Sequence, residues 1–296
     1  MGSVLTIEMS PDKINFIAAV LLYGVTAFYS VRLWKSGFRE KVFPWGVFPV
    51  LAFIAHTFSI FLRGFSLDSC PIRNLYEAGM FIGWTLSLAS LFALFVPKLR
   101  FLTAFLSPLL FLLGAVALIP SFDRPPAAPL PEWISLHATF SFLAYGAWGI
   151  AAATSLMYLI QQRDLKLKKR RALTSILPPV QQIKQLAVNM ILTGVLFLSV
   201  GLWYGIRGHH EFTGTWIGSD FKILWALALW AYFITLWIFC RMSLFRDRIL
   251  AWCIICGFLF IFFTFWPTSA LSSTHRQRGQ TSLTSPTINA TEETSP

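Results

Sequence analysis

Charge is what this sequence has least of: Asp, Glu, Lys and Arg make up 12% of 296 residues, while hydrophobic types supply 56%. A soluble domain carries about a quarter of its residues as charged types, so this chain has far more apolar surface than one water-exposed fold can hide. Cysteine is also scarce. Of 4 Cys, Cys240, Cys253 and Cys256 fall inside apolar runs, which excludes a disulfide framework of the secreted kind. Acidic residues number 13 against 24 basic ones, for a formal net charge of +11. The basic residues come in short clusters between long apolar runs and form no continuous face, so no nucleic-acid partner is expected. No Lys or Arg precedes Lys13. The first apolar run therefore lacks the basic leader of a cleavable signal peptide and is expected to remain as a span.

Apolar and aromatic residues are plentiful, with 29 Phe and 12 Trp. A helix needs about 20 apolar residues to cross a hydrocarbon layer about 30 Å thick. Eight stretches qualify, near 14–33, 44–64, 75–96, 101–120, 137–161, 186–205, 222–241 and 249–268. The expected fold is all-α, a polytopic membrane protein with eight transmembrane helices. Residues 32–43, 97–100, 162–185 and 241–248 hold 16 of the 24 Lys and Arg, and the opposite side holds 8. Basic residues collect on the cytoplasmic side, so both termini are expected outside. Arg163 to Arg171 then reads as an orientation anchor, with anionic lipid or a cytosolic partner as the alternative. Residues 1–275 form one membrane domain, and 276–296 are a polar tail expected to be disordered.

The outer connections 65–74, 121–136 and 206–221 are richer than turns require, and the polar residues gather near them. His137 begins the fifth span, His209 and His210 occupy the connection before the seventh, and His275 follows the eighth; His56 alone is mid-span. Imidazoles from two sides can complete the axial coordination of haem iron. Around 206–221 lie indole rings to stack on the macrocycle and cations such as Arg207 and Lys222 to meet its propionates. Trp216 and Trp225 are equally compatible with an interfacial aromatic belt, so residue types alone leave a ligand site and a belt both open.

From Gly205 to Trp230 the chain resembles the CcsA (ResC) group of haem-handling membrane proteins of cytochrome c assembly, together with related HemX-type proteins. The match falls on Gly205, Glu211, Gly214, Asp220, Lys222, Trp225, Ala226, Leu227 and Trp230. The stretch Pro71-Ile72-Arg73-Asn74-Leu75-Tyr76-Glu77-Ala78 is similar to the group's proline-led Asn-Leu-Tyr-Glu-Ser segment. Trp133 to His137 is similar to the segment holding its first external haem histidine, and His275 falls where the second is placed. The resemblance implies b-type haem, bound non-covalently, with His137 and His275 as axial ligands. Trp216, Asp220, Lys222, Trp225 and Trp230 would cradle the ring. It further implies a bacterial inner membrane location and three partners: a CcsB (ResB) type membrane protein, apocytochrome c and a thioredoxin-like reductant. No acid–base or nucleophilic catalytic site is expected, and the resemblance implies a part in a cytochrome c synthase complex.

Several group residues are replaced. Ser219 and Ile217 stand where the group has tryptophans, Ile238 where it has a membrane-embedded histidine, and Ser69 where a histidine often precedes the proline-led stretch. Those replacements lean toward the HemX-like branch, for which the implied role is non-enzymatic control of tetrapyrrole synthesis through the level of glutamyl-tRNA reductase. Presentation of haem for cytochrome c assembly and this regulatory role are both carried forward. A small-molecule transporter is disfavoured by the lack of midplane charges and paired broken helices. His56 is expected to face the bundle, either hydrogen-bonded to a neighbouring helix or ligating haem. His209 and His210 are expected in a loop, Cys253 and Cys256 as packing residues, and Glu77 and Asp220 as anchors paired with Arg73, Arg207 or Lys222.

Overall fold

A computed structural model describes residues 10–36, 46–67, 72, 74–95, 99–123, 132–167, 178–216 and 221–271. Among these residues the regular structure is entirely helical: α1 (Pro11–Ser36), α2 (Val47–Leu67), α3 (Leu75–Phe95), α4 (Arg100–Ala117), α5 (Glu132–Lys166), α6 (Val180–Thr213), α7 (Phe221–Met242) and α8 (Asp247–Leu271), with a 3-10 turn at Pro120–Phe122. Helices α1 to α7 are long and apolar enough to cross a membrane. The chain is thus an all-helical, multi-pass membrane protein. Large apolar side chains such as Leu21, Phe28, Phe58, Phe61 and Phe260 are exposed on the outside of the bundle, where lipid would cover them.

Local chemistry explains several boundaries. Pro11 opens α1, a position whose amide has no partner within the helix. Asn74 caps α3, its side-chain oxygen accepting from the Glu77 amide at 2.9 Å. Gly214 ends α6 in the left-handed region at φ 75°, its amide donating to the His210 carbonyl at 2.8 Å.

Helices α1 to α4 pack as one group, α1 against α2 and α4, and α3 against α2 and α4. Helix α5 joins that group to the rest, touching α3 and α4 on one side and α6 and α8 on the other, while α7 closes against α6 and α8. Small residues along its middle, Ala144, Gly146, Ala147, Gly149 and Ala151 to Ala153, let neighbours approach from several directions. Trp148 fills the centre. Its fully buried ring stacks on Phe233 of α7 with centroids 3.8 Å apart and planes 10° from parallel. The indole N–H donates to the Ile191 carbonyl of α6 at 3.3 Å.

Two helices outgrow their expected spans. Helix α5 starts at Glu132 rather than near 137, and α6 continues to Thr213 rather than ending near 205. At 1.5 Å per residue, their 35 and 34 residues reach about 50 Å, well beyond a hydrocarbon layer of about 30 Å. The first eight residues of the expected connection 206–221 are therefore helix. His209 and His210 lie on the last turns of α6, not in a loop, because α5 supplies a partner surface there that pattern alone does not reveal.

Candidate functional site

The start of α1, the end of α2, the start of α3 and the turn after α4 meet at one end of the bundle, on Arg63. Its Nε lies 2.9 Å from Glu77 Oε1, one terminal nitrogen 2.6 Å from Asp123 Oδ1 and the other 3.5 Å from Asp12 Oδ2. Lys13 bonds the second Asp123 oxygen at 2.6 Å, and Asn74 donates to Asp123 Oδ1 at 2.9 Å. The guanidinium also lies over the Tyr76 ring, 5.5 Å from its centroid. Glu77 is fully buried and meets a cation that its sequence did not suggest, Arg63; of its expected partners, Arg73 lies outside the described residues. Asn74, Tyr76 and Glu77 of the proline-led segment thus all serve this hub, as cap, platform and anion. Burial alone would raise the Asp123 carboxyl, but the hydrogen bond from Lys13, the charge of Arg63 and the Asn74 amide hold it below the usual carboxylate range.

At the same end His137 stands on the second turn of α5, half-buried against α6. Its Nδ1 lies 2.7 Å from the Gly201 carbonyl. A carbonyl can only accept, so Nδ1 carries the proton, and in the neutral ring the lone pair sits on Nε2. The Ser141 hydroxyl donates to the His137 carbonyl at 2.7 Å, tying the next turn of α5 to the same register. A metal-ligating histidine ordinarily has this arrangement, with the far N–H held by a carbonyl that fixes tautomer and ring orientation. On that test the His137 imidazole has the set-up of a residue that could hold haem iron.

The tryptophans are not gathered on one shelf. Trp216 is exposed just past α6 and stacks on His210, centroids 3.9 Å apart and planes 20° from parallel. Trp225 packs on Phe260 of α8, and Trp230 turns to α6, where its N–H donates to Ser199 at 2.8 Å. A cleft of about 480 Å³ is lined by Trp203, Ile206, Arg207, His210, Glu211 and Trp216. That volume is within the range of small-molecule sites, about 300–1,000 Å³. Trp203, Arg207 and His210 each follow Gly201, Gly205 and Gly208 by two residues, or about 200° around α6. The cleft therefore opens on the side of α6 away from His137. Arg207 is held there by Glu211 at 3.0 Å and lies over Trp203, 5.5 Å from its centroid. Asp220 and His275 fall outside the described residues, and Lys222 lies on the first turn of α7.

His56 is 1% exposed and both its nitrogens are occupied, Nε2 by the Met80 carbonyl at 2.9 Å and Nδ1 by the Tyr23 hydroxyl at 3.0 Å. It is a polar link among α1, α2 and α3. Cys253 is half-buried and Cys256 exposed on α8. At the opposite end of the bundle Lys184 pairs with Asp247 at 2.5 Å, joining the starts of α6 and α8. The sequence does not mark Arg63, Asp12, Lys13 and Asp123 as a cluster, because a single charge at the end of an apolar run does not disclose its partner. The one available signal was the occurrence of Arg63 at the close of a span, where an isolated charge is costly.

Comparison with known proteins places these features in context. The profile of the family described as Cytochrome C assembly protein matches residues 72–274. The cytochrome c biogenesis protein CcsA of Trieres chinensis is 25% identical over 268 residues, covering 77% of this chain and 85% of that one. CcsA of Guillardia theta is 26% identical over 205 residues, 62% of this chain and 68% of that one. CcsA of Prochlorococcus marinus (strain NATL1A) is likewise 26% identical over 205 residues, 59% of this chain and 65% of that one.

Proposed function

The chain belongs to the cytochrome c assembly protein family, and we propose that it holds haem at the outer face of a bacterial cytoplasmic membrane and presents it to the thiols of apocytochrome c. The carrying observation is the 2.7 Å bond from His137 Nδ1 to the Gly201 carbonyl, which puts the ring's lone pair on Nε2 at the end of a rigid helix pair. His275, which lies outside the described residues, would supply a second imidazole to hold the haem. The topology is eight spans with both termini outside, in keeping with the 16 basic residues on one side against 8 on the other. Trp225 at the start of α7 would flank the ring, and Asp220 with Lys222 would order the preceding loop or meet a propionate.

In this reading haem, bound non-covalently, supplies the vinyl groups that accept cysteine sulfur. The protein's own residues bind and orient it; none acts as acid or base. A CcsB-type membrane protein completes the assembly site, and a thioredoxin-like reductant keeps the apocytochrome thiols reduced.

The test is the absorption spectrum of the protein purified in detergent, with and without added haem. A Soret band is expected, and His137→Ala and His275→Ala are each expected to diminish it. If haem supplementation yields no Soret band, the reading fails. Deleting the gene is expected to abolish covalent cytochrome c. Normal cytochrome c with an altered level of glutamyl-tRNA reductase would instead establish the HemX-like regulatory role.

A further inference from the structure

We propose that Gly205 is the positioning residue of His137: by lacking a side chain it dictates which ring nitrogen faces α6 and which faces the ligand. This rests on the haem-ligation reading above. Helices α5 and α6 run antiparallel, and glycines of α6 receive the larger groups of α5. Gly208 lies against Trp133, Gly205 against His137, Gly201 against Ser141 and the His137 carbonyl, and Gly194 against Trp148.

At Gly205 the fit is to the imidazole itself. A Cβ there would lie 2.6 Å from Nδ1, 3.0 Å from Cε1 and 3.2 Å from Cγ of His137. Real Cβ atoms essentially never approach within 3.0 Å, so the ring must move if residue 205 gains even one carbon. All three nearest atoms belong to the Nδ1 edge; the Nε2 edge is turned away from this point of α6. Only with that edge seated on bare backbone does Nδ1 reach the Gly201 carbonyl one turn earlier at 2.7 Å. A side chain at 205 forces the ring to rotate or the helices to part. Either movement lengthens the bond that holds the tautomer, and a rotated ring can exchange the roles of its nitrogens.

The neighbouring glycine provides a matched control. A Cβ at Gly208 would come within 2.2 Å of the Trp133 ring and so intrudes at least as severely, but on an indole rather than on the imidazole. Loss of a carbonyl partner to a ligating histidine typically costs about 10- to 100-fold in metal affinity. Gly205→Ala is therefore expected to weaken haemin binding by about 10- to 100-fold and to shift the low-spin absorption and EPR signals. Gly208→Ala is expected to lower the unfolding temperature while leaving those signals in place. Equal effects of the two variants on the haem spectrum, or a wild-type spectrum in Gly205→Ala, would overturn the assignment.

A second readout needs no haem. In protein carrying 15N-labelled histidine, solid-state NMR in lipid is expected to show His137 protonated at Nδ1 in the wild type and at Nε2 to a substantial extent in Gly205→Ala. Retention of the Nδ1–H tautomer in Gly205→Ala would refute the positioning role even if haem binds. A wild type that binds no haem, yet loses that tautomer on Gly205→Ala, would uphold the positioning role and refute the haem reading instead.

Discussion

Arg63→Met keeps most of the side chain's aliphatic length and removes its charge, and the hub at Arg63 makes the consequence calculable. Glu77 has 0% of its side chain exposed and Asp12 5%, so the loss of Arg63 takes a cation from two carboxylates held away from water. Removing one partner of a buried ion pair costs about 3–5 kcal/mol. At about 2–4 °C per kcal/mol for a chain of this size class, thermal unfolding in detergent is expected to fall by about 10 °C. The double variant Arg63→Met, Glu77→Gln should recover part of that loss, because it also removes one of the buried anions that Arg63 neutralises. Arg63→Lys should remain below wild type, since a single ammonium cannot address three carboxylates from one planar fork. An Arg63→Met midpoint within about 2 °C of wild type, or a double variant as unstable as the single, would refute the hub as a source of stability.

Asp123 gives a pH prediction. Its carboxyl titrates lower in the folded protein than in the unfolded chain, so its contribution is present above the ordinary carboxylate range of about 4 and is lost as pH falls through the folded value. Asp123→Asn is accordingly expected to flatten the acid limb of a stability-against-pH curve; an unchanged limb would count against the assignment. Gly194→Ala would set a carbon 2.2 Å from the Trp148 indole nitrogen, and the resulting overpacking should cost about 1–3 kcal/mol, read as a lower unfolding midpoint and altered Trp fluorescence. Tyr23→Phe leaves the buried His56 Nδ1 without its hydroxyl at 3.0 Å, for an expected loss of about 1–3 kcal/mol; no measurable loss would mean that Ser87 or water replaces it.

The membrane class and most of the helices could be read from the sequence because apolar runs of sufficient length have few other uses. Where each helix stops was harder. Gly208, His209 and His210 resemble a loop by residue type, yet they continue α6 because Trp133 and His137 of α5 pack on the glycines of that helix. Tertiary contact there outweighs weak helix propensity. The proline-led segment was legible as a motif, but its purpose was not, since Asp12, Arg63 and Asp123 belong to three other parts of the chain. Trp225 and Trp230 illustrate a signal that was available. Five residues apart on a helix, they point about 140° from each other, and the structure sends one to Phe260 and the other to Ser199. His137 stands out in the sequence by the segment that holds it, whereas its carbonyl partner Gly201, 64 positions away, is visible only in the fold.

The groups that meet on Arg63 come from residues 12, 13, 63, 74, 77 and 123, which sets an order on biosynthesis. While the ribosome is still making α4, Arg63 can already meet Asp12 and Glu77, but Lys13 and Asn74 lack the carboxylate they share with it. The turn carrying Asp123 arrives last and acts as a latch, so the charge cluster is complete only after the chain has emerged past it. A nascent chain truncated before that turn would leave the latch open.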